Sequence, residues 1–335
     1  MMMLVVYYII STVILNMEMV VATDQCSVYE FKSPFHPGES CEDVYNMNPE
    51  SRDLSGYYWI LDGPSKVFCG MNYTGSSCLN IYSNNPETGD KSGYYRIDST
   101  QWTYCNMTRI ATDFISTCAG VGGGWRRIAN INVTAGDHCP SGWHRATHSG
   151  VSFCYKGDTG VCSSTFFSTN GTSYQRVCGR ARGYQKGNTI GFRGSQNFFQ
   201  TINDAYADSL GIHYGSPRQH IWSYVSGLYD NTIENLYNCP CAVGSGPVPP
   251  SFVGTNFYCE SAGANPRNSD NYYFNDILWD GSGCPTGTCC NDTTQPWFYR
   301  ELNGTTTSDI EARLCSHEVF SNRAVIIDQL ELYIQ

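Results

Sequence analysis

The segment 41–71, CEDVYNMNPESRDLSGYYWILDGPSKVFCGM, recurs at 78–107 as CLNIYSNNPETGDKSGYYRIDSTQWTYCNM. Both copies begin with a cysteine, and both carry Asn-Pro-Glu, Ser-Gly-Tyr-Tyr, an isoleucine, a second cysteine and a closing methionine. Matching positions keep a constant spacing until one residue is deleted near the end of the second copy. This agreement indicates a tandem duplication that organises the N-terminal third of the chain.

Each copy is predicted to contain a small β-hairpin. Asn-Pro and Ser-Gly favour turns, Gly-Tyr-Tyr-x-Ile alternates as a strand does, and the residues before the second cysteine fit a returning strand. Because so small a hairpin needs a covalent staple, we expect the disulfides Cys41–Cys69 and Cys78–Cys105. Each bridge closes a loop of about 28 residues and contributes roughly 3–4 kcal/mol on the chain-entropy model.

The composition limits the compartment and the partners. Seventeen cysteines in 335 residues argue against a reducing cytosol. Lys+Arg is 20 against Asp+Glu 30, a net charge of −10, which argues against a nucleic-acid partner because such proteins need a clustered cationic face. The acids are scattered and form no tract, so weak, distributed attraction for calcium carbonate mineral is plausible and a dedicated nucleating segment is not.

Residues 1–22 are predicted to be a signal peptide. Leu4–Leu15 is an uncharged apolar run, and Val20-Val21-Ala22 fits a signal peptidase site. The run is shorter than the ~20 residues that span a bilayer, so we expect a secreted, extracellular protein with no membrane span in the mature chain. Six Asn-x-Thr acceptors for N-glycosylation agree with secretion: Asn72, Asn106, Asn132, Asn170, Asn291 and Asn303.

The duplicated pattern, followed by Gly122-Gly-Gly-Trp125, resembles the opening of a fibrinogen C-terminal domain. The resemblance extends from Cys41 to about Ile128. It implies that the two cysteines of each copy are paired and that Gly-Gly-Trp begins the next strand. The calcium loop of that family has no counterpart in this sequence, so its calcium and ligand sites are not carried over.

The region 124–335 is predicted to be a second, cysteine-rich β domain after the fibrinogen-like region 23–123. Segments such as 220–225 and 325–334 have the aromatic and β-branched character of strands, and 204–210 is the one candidate helix. The predicted fold class is therefore α+β, with mostly short antiparallel β-strands, rich in disulfides and divided into two regions.

This second region is similar to the C-terminal part of secreted proteins from cnidarians and sponges. The likeness is carried by Gly215-Ser-Pro-Arg-Gln-His-Ile-Trp222, Leu278-Trp-Asp-Gly281, Cys289-Cys290, Pro296-Trp-Phe298 and Leu330-Glu-Leu-Tyr-Ile-Gln335. Together with the fibrinogen-like opening, the chain resembles the skeletal organic matrix proteins of stony corals. That resemblance implies an extracellular deposit associated with a calcium carbonate skeleton.

Candidate catalytic and metal-binding residues are few. His138, His144 and His148 are clustered, but glycine, serine and threonine surround them and solvated histidines are the better interpretation. In a secreted chain, the spacings Cys239-Pro-Cys241 and Cys284…Cys289-Cys290 are better explained by disulfides than by zinc. We therefore predict no catalytic residues, no metal, no cofactor and no enzymatic activity. A pocket that gathers one of these histidines or His220 beside a carboxylate would revive an enzyme.

One adhesion motif is a low-ranked candidate. Lys156-Gly157-Asp158 would lie in a tight loop if Cys154 paired with Cys162, and a Lys-Gly-Asp at such a tip resembles the integrin-binding tripeptide of some disintegrins. A polar turn chosen for Gly and Asp is the alternative.

Cysteine arithmetic leaves further pairings open. Cys26 and Cys118 flank the duplication and are candidates to bridge it. Eleven cysteines then remain in the C-terminal half, so one of them should be free or shared with another chain, unless Cys26 or Cys118 reaches across.

Two functions follow from these expectations. The first is a glycosylated, disulfide-stabilised framework protein of a calcified skeletal organic matrix, whose partners are other matrix proteins or glycans, with the mineral as a further candidate. The alternative is a soluble carbohydrate-recognition protein of the fibrinogen or intelectin type.

Overall fold

A computed structural model describes the following residues of the chain: 37–47, 52–61, 66–107, 118, 123–157, 162–187, 189, 191, 202, 208–227, 251–254, 256–260, 297–316 and 324–335. Several predictions fall outside these residues, namely those on the signal peptide 1–22, Cys26, Asp158, Asn291, Cys239, Cys241, Cys284, Cys289 and Cys290. Among the described residues, no helix is long and apolar enough to cross a membrane.

The described residues are mostly β-strands, with two short α-helices and a high density of disulfides, which confirms a disulfide-rich, mostly-β fold. They belong to two compact units. The first extends to Gly75 and also includes Gly93–Trp102, and the second comprises Ser76–Ser92 and Thr103–Gln335.

The first unit contains helix α1 (Cys41–Met47) and the strands β1 (Gly56–Trp59), β2 (Lys66–Gly75) and β3 (Gly93–Ile97). β1 and β2 form the antiparallel hairpin expected from the repeat, and β3 pairs with β2 in parallel. The disulfide Cys41–Cys69 fastens the helix to the hairpin. Both sulfurs lie in a small core whose other buried members are Val44, Tyr58, Ile60 and Met71.

Both repeats open with a seven-residue helix that the sequence analysis did not assign: α1, and α2 (Cys78–Asn84) in the second unit. Ser40 and Ser77 cap these helices, because their hydroxyls accept from the amides of Asp43 and Asn80 at 3.0 Å. The Asp43 and Asn80 side chains accept in return from the amides of residues 39 and 76. The shared Ser-Cys-x-Asp/Asn pattern is thus a variant of the reciprocal capping box, in which the return hydrogen bond comes from the residue before the N-cap.

Both cysteines of the second repeat lie in the second unit. They form the disulfide Cys78–Cys105, the other pair expected from the repeat. Strand β4 (Gln101–Asn106) pairs at its end with β5 (Trp125–Asn132). β5 begins at Trp125, as the Gly-Gly-Trp motif implies. Gly124 has φ +88°, and a Cβ built on it would lie 2.7 Å from the Cα of Leu79. A glycine is therefore required where the chain passes over the start of α2.

The large sheet of the second unit is built on β9 (Tyr174–Lys186) and β15 (Ala324–Ile334), which are antiparallel over most of their lengths. The other edge of β15 pairs with β5 and, at one position, with β7 (Val151–Tyr155), which forms a hairpin with β6 (His144–His148). β13 (Trp297–Thr306) pairs with the far edge of β9.

A five-stranded sheet packs against the large sheet. Its order is β12 (Phe257–Glu260), β11 (Gln219–Ser226), β10 (Ser209–Tyr214), β14 (Ile310–Cys315) and β8 (Cys162–Phe167). One buried cluster takes residues from both sheets, and Trp222 of β11 stacks on Phe298 of β13 with ring centroids 4.5 Å apart. The helix expected over 204–210 is wrong at Ser209 and Leu210, because these residues pair with two neighbouring strands as the start of β10.

All eleven cysteines within the described ranges are disulfide-bonded. A bridge between Cys26 and Cys118 is wrong, because Cys118 bonds to Cys178 in a buried cluster with Trp125 and Tyr333. Cys118 is thus a cysteine that reaches across into the C-terminal half. The remaining described pairs are Cys139–Cys154 and Cys162–Cys315.

Replacing Gly124 with alanine should destabilise the second unit more than the same change at Gly136. Both glycines have positive φ, +88° and +112°, so both variants bear a left-handed alanine that costs about 1–2 kcal/mol. At Gly124 the added Cβ also collides with the backbone of Leu79, and this overpacking costs about 1–3 kcal/mol more. At Gly136 no atom lies within 4 Å of the added Cβ, so that variant lacks the second cost. Urea unfolding of the oxidised variants measures the difference; equal losses would contradict this account of the motif.

Candidate functional site

The most chemically distinctive part of the second unit is the face of the five-stranded sheet that points away from the shared core. Strand alternation produces it: Ile310, Ala312 and Leu314 of β14 enter the core, so Glu311 and Arg313 between them lie on the opposite face. Although this face is polar, Glu311 is buried. The combination of burial and charge makes it the candidate functional site.

Two histidines face each other there across β10 and β11. The turn at 215–218 pairs His213 with His220, and a β-bulge beside His213 leaves Ile221 without a direct partner. Their ring centroids are 5.7 Å apart, in an edge-to-face arrangement. His213 is 5% exposed and His220 is 8% exposed, so both rings are removed from water.

The neighbours of the pair fix the orientation of both rings. A Cβ on Gly211 would lie 2.4 Å from Cε1 of His213, so the absence of a side chain at 211 makes room for that ring. Nε2 of His220 lies 2.8 Å from the hydroxyl of Ser223, and the ring of Phe252 contacts His220 edge to face. Neither histidine Nδ1 has a hydrogen-bond partner in the described part of the chain.

Burial keeps both imidazoles neutral. It lowers the pKa of His213 well below its ordinary value. The nearby His220 lowers this pKa further, and the charges of Arg218 and Arg313 act in the same direction with smaller effect. Burial, and then the charge of Arg300, lower the pKa of His220 to about 3.

The Ser223–His220 contact has the geometry of a nucleophile and its base but not the properties. Ser223 is buried, so a substrate would not reach its hydroxyl in this conformation. With a pKa of about 3, His220 is too weak a base to accept a proton efficiently near neutrality. No carboxylate among the described residues accepts from its Nδ1. We therefore interpret the contact as one that orients the ring.

A charged cluster borders the histidine pair. Arg218 Nε lies 2.5 Å from one carboxylate oxygen of Glu311, and its terminal nitrogen lies 3.0 Å from the other. The hydroxyl of Ser164 donates to the same carboxylate at 2.5 Å. Burial alone would raise the pKa of Glu311, but these hydrogen bonds outweigh it and hold the pKa below its ordinary value. Arg218 and Arg313 both donate to the backbone carbonyl of Ile202 at 3.1 Å.

The histidines selected from the sequence lie elsewhere. His138, His144 and His148 are all exposed, and the last two lie on strand β6. In the described part of the chain, no group of three or more His, Cys, Asp or Glu side chains could hold a metal ion. His220 was named only as one member of a hypothetical pocket, and His213 was missed entirely.

The adhesion candidate does not have the loop on which it depended. Cys154 bonds to Cys139 and Cys162 bonds to Cys315, because β7 and β8 belong to different sheets. Lys156 is buried, and Gly157 lies under the ring of His144 with φ +82°. The proposed Cys154–Cys162 loop is therefore wrong.

Three of the predicted glycosylation sites are exposed, namely Asn72, Asn170 and Asn303. Asn106 and Asn132 are half-buried and have structural roles. Asn106 accepts from the hydroxyl of Ser92, and Asn132 caps a short 3₁₀ helix by accepting from the amide of Ala135.

No protein-family model matches the chain, and no curated protein shows significant sequence similarity to it.

Replacing Glu311 with glutamine should lower the free energy of unfolding by about 3 kcal/mol, because it leaves the guanidinium of Arg218 without its counter-charge in a largely buried site. The matched control is Glu301→Gln. Glu301 and Arg176 are 3.8 Å apart with 52% and 35% exposed side chains, so the loss there should stay below about 1 kcal/mol. Denaturant unfolding at pH 7.5 compares the two variants, and similar losses would show that burial does not strengthen the Glu311 pair.

Proposed function

We propose that this protein is a secreted, glycosylated framework component of an extracellular matrix, in a calcified skeleton. The observation that carries the proposal is that every described cysteine is disulfide-bonded. Such a density of bridges belongs to oxidising compartments outside the cytosol. The skeletal setting rests on the resemblance to coral matrix proteins, as does the division into a fibrinogen-like region and a cysteine-rich region.

The exposed apolar side chains suggest how such a protein would make contacts. Seven large hydrophobic residues are exposed among the described residues, and four of them lie in the first unit: Met47, Leu54, Tyr57 and Leu61. Apolar side chains kept in water favour association with another surface. Tyrosine contributes a large contact area at low entropic cost. We therefore assign matrix contact to the first unit.

The alternative function, carbohydrate recognition, is favoured by one particular face of that unit. Tyr57 and Trp59 alternate along β1, so their side chains share one face, and the exposed Leu61 follows two residues after the strand ends. Tyr57 is 49% exposed, and the ammonium of Lys66 lies 5.7 Å from the centre of the Trp59 ring. Aromatic rings beside a hydrogen-bond donor form a surface on which a sugar ring could stack.

The first experiment measures retention in the matrix. Purified protein is mixed with the washed, insoluble organic residue of a demineralised skeleton, and the bound fraction is measured after salt washes. We expect a Tyr57→Ser/Leu61→Ser variant to bind several-fold less than the wild type. The matched control, Phe166→Ser/Tyr299→Ser, removes exposed side chains of the second unit and should bind as the wild type does.

The same proteins separate the two functions on a glycan array with and without calcium. Failure to bind the matrix, together with glycan binding that Tyr57→Ser abolishes, would replace the framework proposal by carbohydrate recognition. Proteomics of the skeleton and the surrounding tissue completes the test, because presence in tissue alone would contradict a skeletal framework. Adsorption to calcium carbonate crystals above that of a neutral protein tests direct mineral contact.

Glycosylation should follow exposure. We expect glycans at Asn72, Asn170 and Asn303, whose side chains are exposed, and none at Asn106 or Asn132, whose side chains are half-buried and less accessible. Enzymatic release of N-glycans in heavy-oxygen water, followed by peptide mass spectrometry, reports each site. Full occupancy of Asn132 beside an unmodified Asn170 would contradict both the local structure and the expectation.

A further inference from the structure

We infer that His213 and His220 form an acid-sensitive latch in the five-stranded sheet: the sheet is closed while both rings are neutral, and the β10–β11 hairpin loosens when either ring takes up a proton. Neutral and alkaline media therefore keep the sheet closed. This property is independent of the proposed matrix function.

The first reason is geometric. The two rings are directly opposed on neighbouring strands, are in edge-to-face contact and are buried. Gly211 on one side, and Ser223 and Phe252 on the other, hold them in place. A proton on one ring would put a charge against its neighbour in a site that water does not reach.

The second reason is the charge that surrounds the pair. The turn before β11 provides Arg218, β14 provides Glu311 and Arg313, and β13 provides Arg300. Glu311 is the single anion among these groups, and it is paired with Arg218. β8 contributes the uncharged Ser164, and Phe252 is apolar. Three of these four charges are therefore positive, and no carboxylate in the described region pairs with either histidine.

The sign of the pH dependence follows from the direction of the pKa shifts. Both folded-state pKa values lie below the ordinary value of 6.5. As the pH falls, the histidines of an opened hairpin therefore take up protons at a higher pH than those of the closed hairpin. The stability of the closed form is complete above about pH 6.5 and is lost as the pH falls from there toward the folded-state pKa values. Between pH 7.5 and 5.5 each histidine should raise the population of the open form about tenfold, and the pair about a hundredfold.

The carboxylate of the cluster responds in a lower range. Because the pKa of Glu311 lies below its ordinary value of 4.5, Glu311 keeps its charge and its bonds to Arg218 throughout the interval from pH 7.5 to 5.5. Changes in that interval therefore report on the histidines and not on this ion pair.

The disulfides limit how far the sheet can open. Cys162–Cys315 joins β8 to β14 at directly opposed positions, so these two strands stay together when the hairpin loosens. Neither β10 nor β11 contains a cysteine, so no disulfide joins these two strands to each other. We expect the acid response in β10 and β11, and a weaker one in β8 and β14.

The test is hydrogen exchange with mass spectrometry on the full secreted, oxidised chain at pH 7.5 and 5.5, corrected for the intrinsic pH dependence of exchange. In the wild type, peptides from β10 and β11 should lose at least tenfold of their protection relative to peptides from β9 and β15. A His213→Gln/His220→Gln variant cannot take up the protons, so its loss should be less than about threefold. The control His144→Gln/His148→Gln, on exposed β6, should behave as the wild type does.

An unchanged response in the double glutamine variant would overturn the latch, as would a wild type whose β10 and β11 keep their protection at pH 5.5. If the double variant does not fold, the same exchange measurement on the single variant His220→Gln tests the latch. Its open population should rise only about tenfold between pH 7.5 and 5.5, against about a hundredfold in the wild type. Equal rises in the two proteins would again overturn the latch.

Discussion

The second unit depends on the pairing of β15 with strands from distant parts of the sequence. One edge of β15 pairs with β9 from Ala324 to Ile334, and the other pairs with β5 from Gln329 onward. Beyond the strand, Gln335 exchanges backbone hydrogen bonds with Arg176, and its side-chain amide donates to the carbonyl of Gly123. Without β15, both β5 and β9 would leave a row of unsatisfied backbone groups in the interior.

This strand also accommodates two buried carboxylates, Asp328 and Glu331. The ladder between β15 and β9 is irregular at Asp328, whose carboxylate accepts from Arg182 at 2.9 Å and from the hydroxyls of Tyr184 and Thr134. Because every described strand pairing of β15 is long-range, its formation must overcome a large loop-closure entropy. Disulfides reduce that cost in the same unit, for example Cys162–Cys315, which spans 153 residues. The disulfides therefore lower the entropy cost of the long-range strand pairing on which the second unit depends.

Local features of the fold could be predicted from the sequence, because the information lies within one repeat. The duplication predicted both bridges and the β1–β2 hairpin, and the Gly-Gly-Trp motif of the fibrinogen-like resemblance predicted the strand that starts at Trp125. The two capped helices are also encoded locally, in Ser-Cys-x-Asp/Asn, but each has only seven residues and lies in a segment rich in turn and strand signals. The Cys118–Cys178 bridge and the order of the sheets could not be predicted, because they depend on strand pairings across 60 residues or more.

The histidine pair falls between these two cases. A four-residue turn at 215–218 pairs Tyr214 with Gln219, and therefore His213 with His220, so hairpin symmetry alone brings the two imidazoles together. Burial could not be foreseen, since alternation would ordinarily place this face in water. An apolar pair at these positions would leave no unpartnered ring nitrogen and would be indifferent to acid. Disulfide bonds and backbone hydrogen bonds contain no group that titrates in the acid range, so a pH-dependent element in the five-stranded sheet can weaken while these constraints persist. That separation is the physical basis on which a disulfide-stapled protein combines a stable framework with an acid-responsive part.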